Sequence, residues 1–154
     1  MVIQRVSKAN VRVDGKLVGS ISKGLLVFLG ITHDDQLEDV SWLVKKTLGL
    51  RIFSDTNDAM NLSVQDVDGE ILIVSQFTLH ALTKKGNRPS YIEAAKPETA
   101  LPLYRSFVEQ CEKALRRPVA TGVFGSMMDV ELHNDGPVTI LIDSKNKACV
   151  YHDG

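Results

Sequence analysis

The chain has no apolar run near the roughly 20 residues that a membrane-spanning helix requires. It also lacks a secretory signal pattern, because Met1 leads directly into a strand pattern. Its two cysteines, Cys111 and Cys149, are far apart and form no CxxC pair, so reduced thiols are expected rather than a disulfide. These absences predict a cytoplasmic protein that does not use a membrane.

An excess of charge of either sign is missing as well. The formal net charge is −1 at pH 7, so no global field attracts nucleic acid, and any such contact must be local. Aromatic residues make up 6% of the chain, which leaves few platforms on which unpaired bases could stack. The 154 residues, 44% of them hydrophobic, are enough for one domain over residues 1–154 with a core of its own.

The common catalytic motifs are absent too. There is no nucleophile elbow, zinc-protease helix, P-loop or dinucleotide-binding glycine motif. The histidines show no metal-ligand spacing, and we expect neither a metal nor another cofactor. A Ser75–His80 pair, or Thr78, could act as a nucleophile only with a further group to orient or activate it. An enzyme with this sequence is therefore expected to rely on positioning and backbone dipoles.

The most informative stretch is residues 70–79. Its four branched apolar residues, 71–74, predict a strand that is buried on both faces. Three hydrogen-bonding side chains then surround Phe77, and they are Ser75, Gln76 and Thr78. Because buried polar groups need partners, these side chains either hydrogen-bond to one another in a purely structural role or form the floor of a site.

Apolar runs and alternation predict further strands along the chain. They cover residues 2–6, 10–13, 24–31, 51–53, 119–124, 127–133 and 138–143. Asp14-Gly15 predicts a hairpin turn after the second of these strands, because both residues tolerate positive φ. Residues 134–137 predict a break between the last two strands, since Pro137 has no N–H to donate to a ladder.

Two helices are predicted by apolar residues at three- and four-residue spacing. The first begins at an N-cap of Asp34 or Asp35. Its apolar face is formed by Leu37, Val40, Leu43, Val44, Thr47 and Leu48. The second covers residues 97–116 and is stopped by Pro118. Two helices among seven or eight strands predict an α+β fold, with mostly antiparallel or mixed β-sheets rolled or packed as a barrel-like core. The two helices are expected to cover one side of that core.

A basic loop follows the informative stretch. Lys84, Lys85 and Arg88 bring three cations within five residues, beside Gly86 and Pro89. Such a segment is either a solvated surface loop or a rim that contacts phosphate groups, and its residues alone leave both interpretations open.

Three motifs together resemble those of the D-aminoacyl-tRNA deacylases. They are Ser-Gln-Phe-Thr-Leu at residues 75–79, Lys-Lys-Gly-Asn-Arg-Pro-Ser at residues 84–90 and Asn-Asp-Gly-Pro-Val-Thr at residues 134–139. Residues 2–6, 60–64 and 121–125 fit the same family, and the order is collinear from residue 1 to about residue 144. The resemblance implies a homodimeric hydrolase that cleaves the ester between a D-amino acid, or glycine, and the 3′ end of tRNA. It also implies a role in translational proofreading.

The resemblance implies a catalytic pocket floor formed by Ser75, Gln76, Phe77 and Thr78. A site so poor in nucleophiles fits a reaction in which the ribose hydroxyl beside the ester helps to activate water. Backbone N–H groups near residues 76–78 would stabilise the developing oxyanion. Under this hypothesis Thr78 positions the substrate and forms no covalent intermediate.

The resemblance also implies how the substrate is selected. Gly136 and Pro137, joined by a cis bond, would reach into the partner subunit's active site and reject L-aminoacyl-tRNA. Phe124 and Met128 match the pocket for the terminal adenine, and Arg5 matches an arginine that braces the Gly-Pro loop. The residues alone leave the cis or trans state of the bond open.

Two rival functions remain beside the deacylase hypothesis. One is a non-catalytic module that holds tRNA or single-stranded nucleic acid, and the other is a hydrolase of another small ester or amide acting through Ser75 or Thr78. If the deacylase hypothesis holds, the basic loop is expected to contact tRNA phosphates. Residues 145–154 extend beyond the family's shared pattern and receive no role.

Overall fold

The computed structural model describes residues 1–147. Predictions that concern Cys149 and the end of the 145–154 tail therefore lie outside the described residues. Within residues 1–147 the chain forms eight β-strands, two α-helices and one 3₁₀ turn. The strands are β1 (Val2–Val13), β2 (Lys16–Ile21), β3 (Gly24–Leu29), β4 (Phe53–Ser54), β5 (Met60–Leu62), β6 (Glu70–Ser75), β7 (Ala120–Thr121) and β8 (Asp129–Leu141). The helices are α1 (Leu37–Gly49) and α2 (Pro97–Leu115), and the 3₁₀ turn is Phe77–His80.

Six strands form one mixed sheet. Its order is β2-β1-β3-β6-β7, and β8 also pairs with β1. Strand β1 is antiparallel to β2, β3 and β8, whereas β6 is parallel to both β3 and β7. Because β1 pairs with three strands and β2 also approaches β6 and β7, the sheet curls into a nearly closed, barrel-like core. The predicted α+β fold is confirmed.

The central strand β6 is buried on both faces, as its unbroken apolar run predicted. Ile71 and Ile73 face the two helices and belong to the larger hydrophobic cluster. Leu72 and Val74 face the inside of the barrel and belong to the smaller cluster. A strand held on both sides is a rigid support, and it ends at Ser75, where the polar residues begin.

Helix α1 begins later than predicted. Its N-cap is Gln36, not Asp34 or Asp35, and the Gln36 N–H donates to Asp39 Oδ2 at 2.8 Å. The predicted cap is wrong because the Asp35 carboxylate is already engaged with the preceding turn. Its Oδ2 accepts the backbone N–H of Thr32 at 2.8 Å.

Two further details of the helices differ from their predictions. Leu37 lies in the first turn of α1 and is 60% exposed, so its predicted place on the packed face is wrong, whereas the other five residues of that face are buried. Helix α2 ends at Leu115, because Arg116 adopts the left-handed conformation with a φ of 57°. Among residues 1–147, no helix combines the length and the apolarity that crossing a membrane requires.

Two predicted strand breaks are absent. Residues 2–13 form the single strand β1, although two short strands were expected. Strand β8 runs through residues 134–137, where a break was expected. Its pairing with β1 is nevertheless interrupted there, since Val6 pairs with Asn134 and Gln4 with Thr139, and residues 135–138 have no pairing partner in β1. The missing N–H of Pro137 therefore removes no ladder hydrogen bond.

Candidate active site

A cavity of about 620 Å³ opens at the carboxyl ends of the parallel strands β3 and β6. The start of α2 and the segment before β8 complete its walls. Most of the side chains that line it are apolar. They include Leu29, Ile31, Val74, Pro97, Ala100, Phe124, Met127, Met128 and Val130. The carboxyl end of a parallel strand pair is a common place for a ligand site.

Six of the predicted site residues line this one cavity. They are Ser75, Gln76, Phe77, Thr78, Phe124 and Met128. Among the other lining residues, Tyr91, Ser126 and Met127 are three that the sequence did not single out for a site. Tyr91 directly follows the basic loop, and this position could have indicated from the sequence that Tyr91 belongs to the site.

The end of β6 shapes the floor of the cavity. The Gln76 N–H donates to Leu29 O at 2.8 Å and so extends the ladder between β3 and β6. The chain then enters the 3₁₀ turn, and Gln76 Nε2 donates to Thr78 Oγ1. Within residues 1–147, the backbone N–H groups of Phe77 and Thr78 find no acceptor. These two N–H groups, on residues that line the cavity, are therefore available to a ligand, whereas the Gln76 N–H is already used.

The lining carries no Asp, Glu, His, Lys or Arg side chain in the part of the chain that the structure describes. Ser75 and His80 form no hydrogen bond with each other. Instead, His80 packs against Gly30, and its Nε2 is buried without a partner among residues 1–147. The geometry therefore assembles no Ser–His pair, and no general base stands beside Thr78.

Helix α2 supports the wall of the cavity from behind. The Tyr104 hydroxyl donates to Ile73 O at 3.2 Å, and its ring packs against Phe124 with centroids 5.5 Å apart. Burial raises the pKa of Tyr104 to about 12, so this hydroxyl stays protonated at neutral pH. Burial, with a smaller contribution from Glu112, likewise raises the pKa of the Cys111 thiol to about 12. A protonated, buried thiol is a core residue and a poor nucleophile.

Gly136 and Pro137 do not line the cavity of their own chain. Both are exposed in the middle of β8, and the peptide bond between them is cis. Gly136 has a φ of +129°, and a Cβ there would lie 2.8 Å from Val138 Cγ2 and 3.0 Å from Arg5 Nη2. Only glycine fits this position without a shift of its neighbours.

Arg5 holds the Gly136–Pro137 segment in place. Its Nε donates to Asp135 O at 3.0 Å, and its Nη1 donates to Ile52 O at 2.6 Å. On the other side of the segment, the Val138 N–H donates to Asn134 Oδ1 at 3.1 Å. The segment is thus exposed but firmly held.

The basic loop, residues 82–90, is closed at its base by two backbone hydrogen bonds. The Leu82 N–H donates to Ser90 O at 2.8 Å, and the Ser90 N–H donates to Leu82 O at 3.0 Å. Lys84, Lys85 and Arg88 are exposed between these two residues, and none of the three forms an ion pair within residues 1–147. Their charge is therefore free to act on a ligand.

Two curated relatives match almost the whole chain. The D-aminoacyl-tRNA deacylase of Flavobacterium psychrophilum is 63% identical over 147 residues, which are 96% of this chain and 98% of that protein. The D-aminoacyl-tRNA deacylase of Cytophaga hutchinsonii is 60% identical over 146 residues, which are 95% of this chain and 97% of that protein.

Solved structures agree with this likeness. One, described as a c-Myc DNA Unwinding Element Binding Protein, is 42% identical and aligns with a TM-score of 0.85 over 90% of this chain and 94% of its own. Another, described as a probable eukaryotic D-amino acid tRNA deacylase, is 19% identical and has a TM-score of 0.77. It covers 90% of this chain and 95% of its own, and this match shows a shared fold alone.

A family model described as D-Tyr-tRNA(Tyr) deacylase matches residues 2–143. That range includes every residue that lines the cavity, together with Arg5, Gly136 and Pro137. The chain therefore belongs to the D-Tyr-tRNA(Tyr) deacylase family and is an enzyme of the hydrolase class, as the sequence predicted.

Proposed function

We propose that this enzyme hydrolyses the ester that joins a D-amino acid, or glycine, to the terminal ribose of tRNA. The observation that carries the proposal is a mostly apolar cavity with two free backbone N–H groups at its floor and no charged side chain in its described lining. Such a site suits a substrate that brings its own activating group. The proposed work is proofreading in translation, which places the protein in the cytoplasm with aminoacyl-tRNA.

In the proposed complex, the terminal adenine lies against Phe124 and Met128, on the wall that Tyr104 supports. The ester carbonyl then points towards the N–H groups of Phe77 and Thr78. These donors stabilise the oxyanion that forms when water attacks, and each such donor is typically worth about 3 kcal/mol of barrier. The ribose hydroxyl beside the ester helps to activate the water.

The selection of handedness is assigned to Gly136 and Pro137. Their carbonyl groups hold the substrate's ammonium group, so that an L side chain is directed into the backbone and a D side chain points outward. Glycine passes because it has no side chain. The contacts of Arg5 with Asp135 and Ile52 support this assignment, because a selector that works by exclusion must be rigid.

A homodimer brings these two parts of the site together. Gly136 and Pro137 are exposed and lie outside their own chain's cavity, so a second copy can present them to it. Two exposed apolar side chains beside the cavity, Val123 and Met127, support a covering surface of this kind. The proposed assembly is a symmetric dimer with two equivalent sites.

The test is hydrolysis of matched D-, L- and glycyl-tRNA by the purified wild-type protein and by Gly136→Ala. The wild type is expected to cleave the D and glycyl esters and to spare the L ester. In Gly136→Ala the added Cβ displaces the selecting segment, so the ratio of D to L cleavage should fall at least about tenfold, the effect of about 1.4 kcal/mol.

Gly15→Ala is the matched control. Gly15 also has a positive φ, 76°, but a Cβ there meets nothing within 4 Å. The ratio of D to L cleavage in Gly15→Ala should stay at the wild-type value. If the wild type binds tRNA but cleaves none of the three esters, the deacylase proposal fails and a binding module takes its place.

A further inference from the structure

Tyr91 lies between the cavity and the basic loop. It follows Ser90, whose paired hydrogen bonds with Leu82 close the loop. It lines the cavity, yet it is 40% exposed. The reaction proposed above assigns no role to Tyr91.

The ring of Tyr91 is held by an aromatic contact that leaves it accessible. Its centroid is 5.1 Å from that of Phe77, and the two planes meet at 74°. A perpendicular contact fixes the orientation of a ring and covers at most one of its faces. The Tyr91 hydroxyl makes no hydrogen bond among residues 1–147, so the ring is not placed there to satisfy a polar partner. An oriented and partly exposed aromatic ring beside a site is suited to stack with a base.

The charge around Tyr91 indicates what kind of ligand continues past it. The loop at residues 82–90 contains three cations and no carboxylate, although the whole chain has a net charge of −1. A ligand that leaves the apolar cavity therefore meets an aromatic ring and then a local positive charge. This order of chemistries matches a single RNA strand, in which each base is followed by a phosphate.

We propose that Tyr91 stacks on an unpaired base of the tRNA acceptor end, at the nucleotide that precedes the terminal adenosine. This inference rests on the proposed function and deepens it, because it extends the substrate site by one nucleotide. The terminal nucleotide fills the cavity, the preceding base lies on Tyr91, and the backbone continues towards Lys84, Lys85 and Arg88.

The test compares two substrates that share the same reacting ester. One is D-tyrosyl-tRNA, and the other is D-tyrosyl-adenosine, which has the terminal nucleoside and nothing before it. Tyr91→Ala should raise KM for the tRNA about tenfold with kcat unchanged, which is within the range for removal of one stacked base. The same variant should leave KM for D-tyrosyl-adenosine within about twofold of wild type.

Two conservative variants separate stacking from packing. Tyr91→Phe keeps the aromatic face and should retain the wild-type KM for tRNA. Tyr91→Leu keeps apolar volume against Phe77 but has no aromatic face, so it should behave like Tyr91→Ala. Ile92→Ala removes a neighbouring side chain that is 70% exposed and should change neither substrate's KM.

Three results would overturn the inference. They are an equal rise in KM for both substrates, an unchanged KM for tRNA in Tyr91→Ala, and a Tyr91→Leu variant that matches wild type. If the wild type hydrolyses neither substrate, the proposed function fails by itself. Fluorescence anisotropy with an RNA hairpin that carries a single-stranded 3′ tail then still tests Tyr91, because Tyr91→Ala should weaken binding of the tailed hairpin about tenfold and leave a blunt hairpin unaffected.

Discussion

The Thr78 hydroxyl is the most obvious nucleophile on the cavity floor, but its surroundings do not activate it. Its oxygen accepts a hydrogen bond from Gln76 Nε2, and no acidic or basic side chain lines the cavity within residues 1–147. A hydroxyl without a neighbouring base stays neutral and reacts slowly. The hydrogen bond instead ties Thr78 to Gln76, which makes Thr78 a residue that orders the floor.

Thr78→Ala should therefore keep at least about a tenth of the wild-type single-turnover rate on D-aminoacyl-tRNA. Removal of a covalent nucleophile costs on the order of a million-fold in a hydrolase, so the two roles are easily separated. Thr78→Ser, which keeps the hydroxyl, should stay close to wild type. A rate that falls to background in Thr78→Ala, with folding and tRNA affinity unchanged, would revive the covalent mechanism.

At the scale of single elements, the accuracy of the sequence predictions depended on how local the determining interactions were. Strand β6 and helix α2 were predicted because long apolar patterns specify burial wherever the chain goes. The continuity of β8 past Gly136 was not, because the parts of β8 on either side of residues 135–138 are held by β1, at the other end of the chain. The cap of α1 was missed for a different reason, a local competition in which the Asp35 carboxylate accepts the N–H of Thr32, three residues earlier.

The basic loop is an element whose function the sequence left open, and we predict that its unpaired cations contact tRNA phosphates. Replacing Lys84, Lys85 and Arg88 together with alanine should weaken tRNA binding similarly for all tRNAs. The negative slope of log K against log salt should become shallower by about one for each phosphate that the variant no longer neutralises, or about three in total. Filter binding measures both the affinity and the slope. A range of about 50 to 200 mM salt is suitable, because phosphate neutralisation changes affinity strongly over it.

The matched control neutralises three other exposed lysines, Lys16, Lys45 and Lys113. It makes the same change in net charge away from the cavity, so it separates local interactions from the general field. Its salt slope should remain that of the wild type. An equal slope in both triple variants would return the basic loop to the role of a solvated surface segment.

At the scale of the whole molecule, the cavity and the Gly136–Pro137 segment occupy separate places in one chain. The residues of each part could be predicted from motifs, because motifs are local. Their separation was implied only by the family resemblance, since no spacing in the sequence tells which surface of one copy faces another. The proposed dimer accounts for this separation with one assumption, a two-fold axis that places each segment over the partner's cavity.

Mixed dimers test this assumption directly. Thr78→Trp is designed to fill the cavity that Thr78 lines, and Gly136→Ala is designed to displace the selecting segment. The Thr78→Trp homodimer should be inactive, and the Gly136→Ala homodimer should cleave both D and L esters. Each dimer contains two chains of 17.0 kDa. Co-expression with two different tags, followed by two affinity steps, isolates the heterodimer. Its mass is checked by size-exclusion chromatography with light scattering.

In that heterodimer, the open cavity belongs to the Gly136→Ala chain. If the site is shared, this cavity faces the intact segment of the Thr78→Trp chain, and the ratio of D to L cleavage should return to the wild-type value. If each chain selects with its own segment, the open cavity keeps the displaced one, and the heterodimer remains as unselective as the Gly136→Ala homodimer. The D to L ratio, unlike the absolute rate, does not depend on the fraction of active protein, so it distinguishes the two arrangements even when half of the cavities are filled.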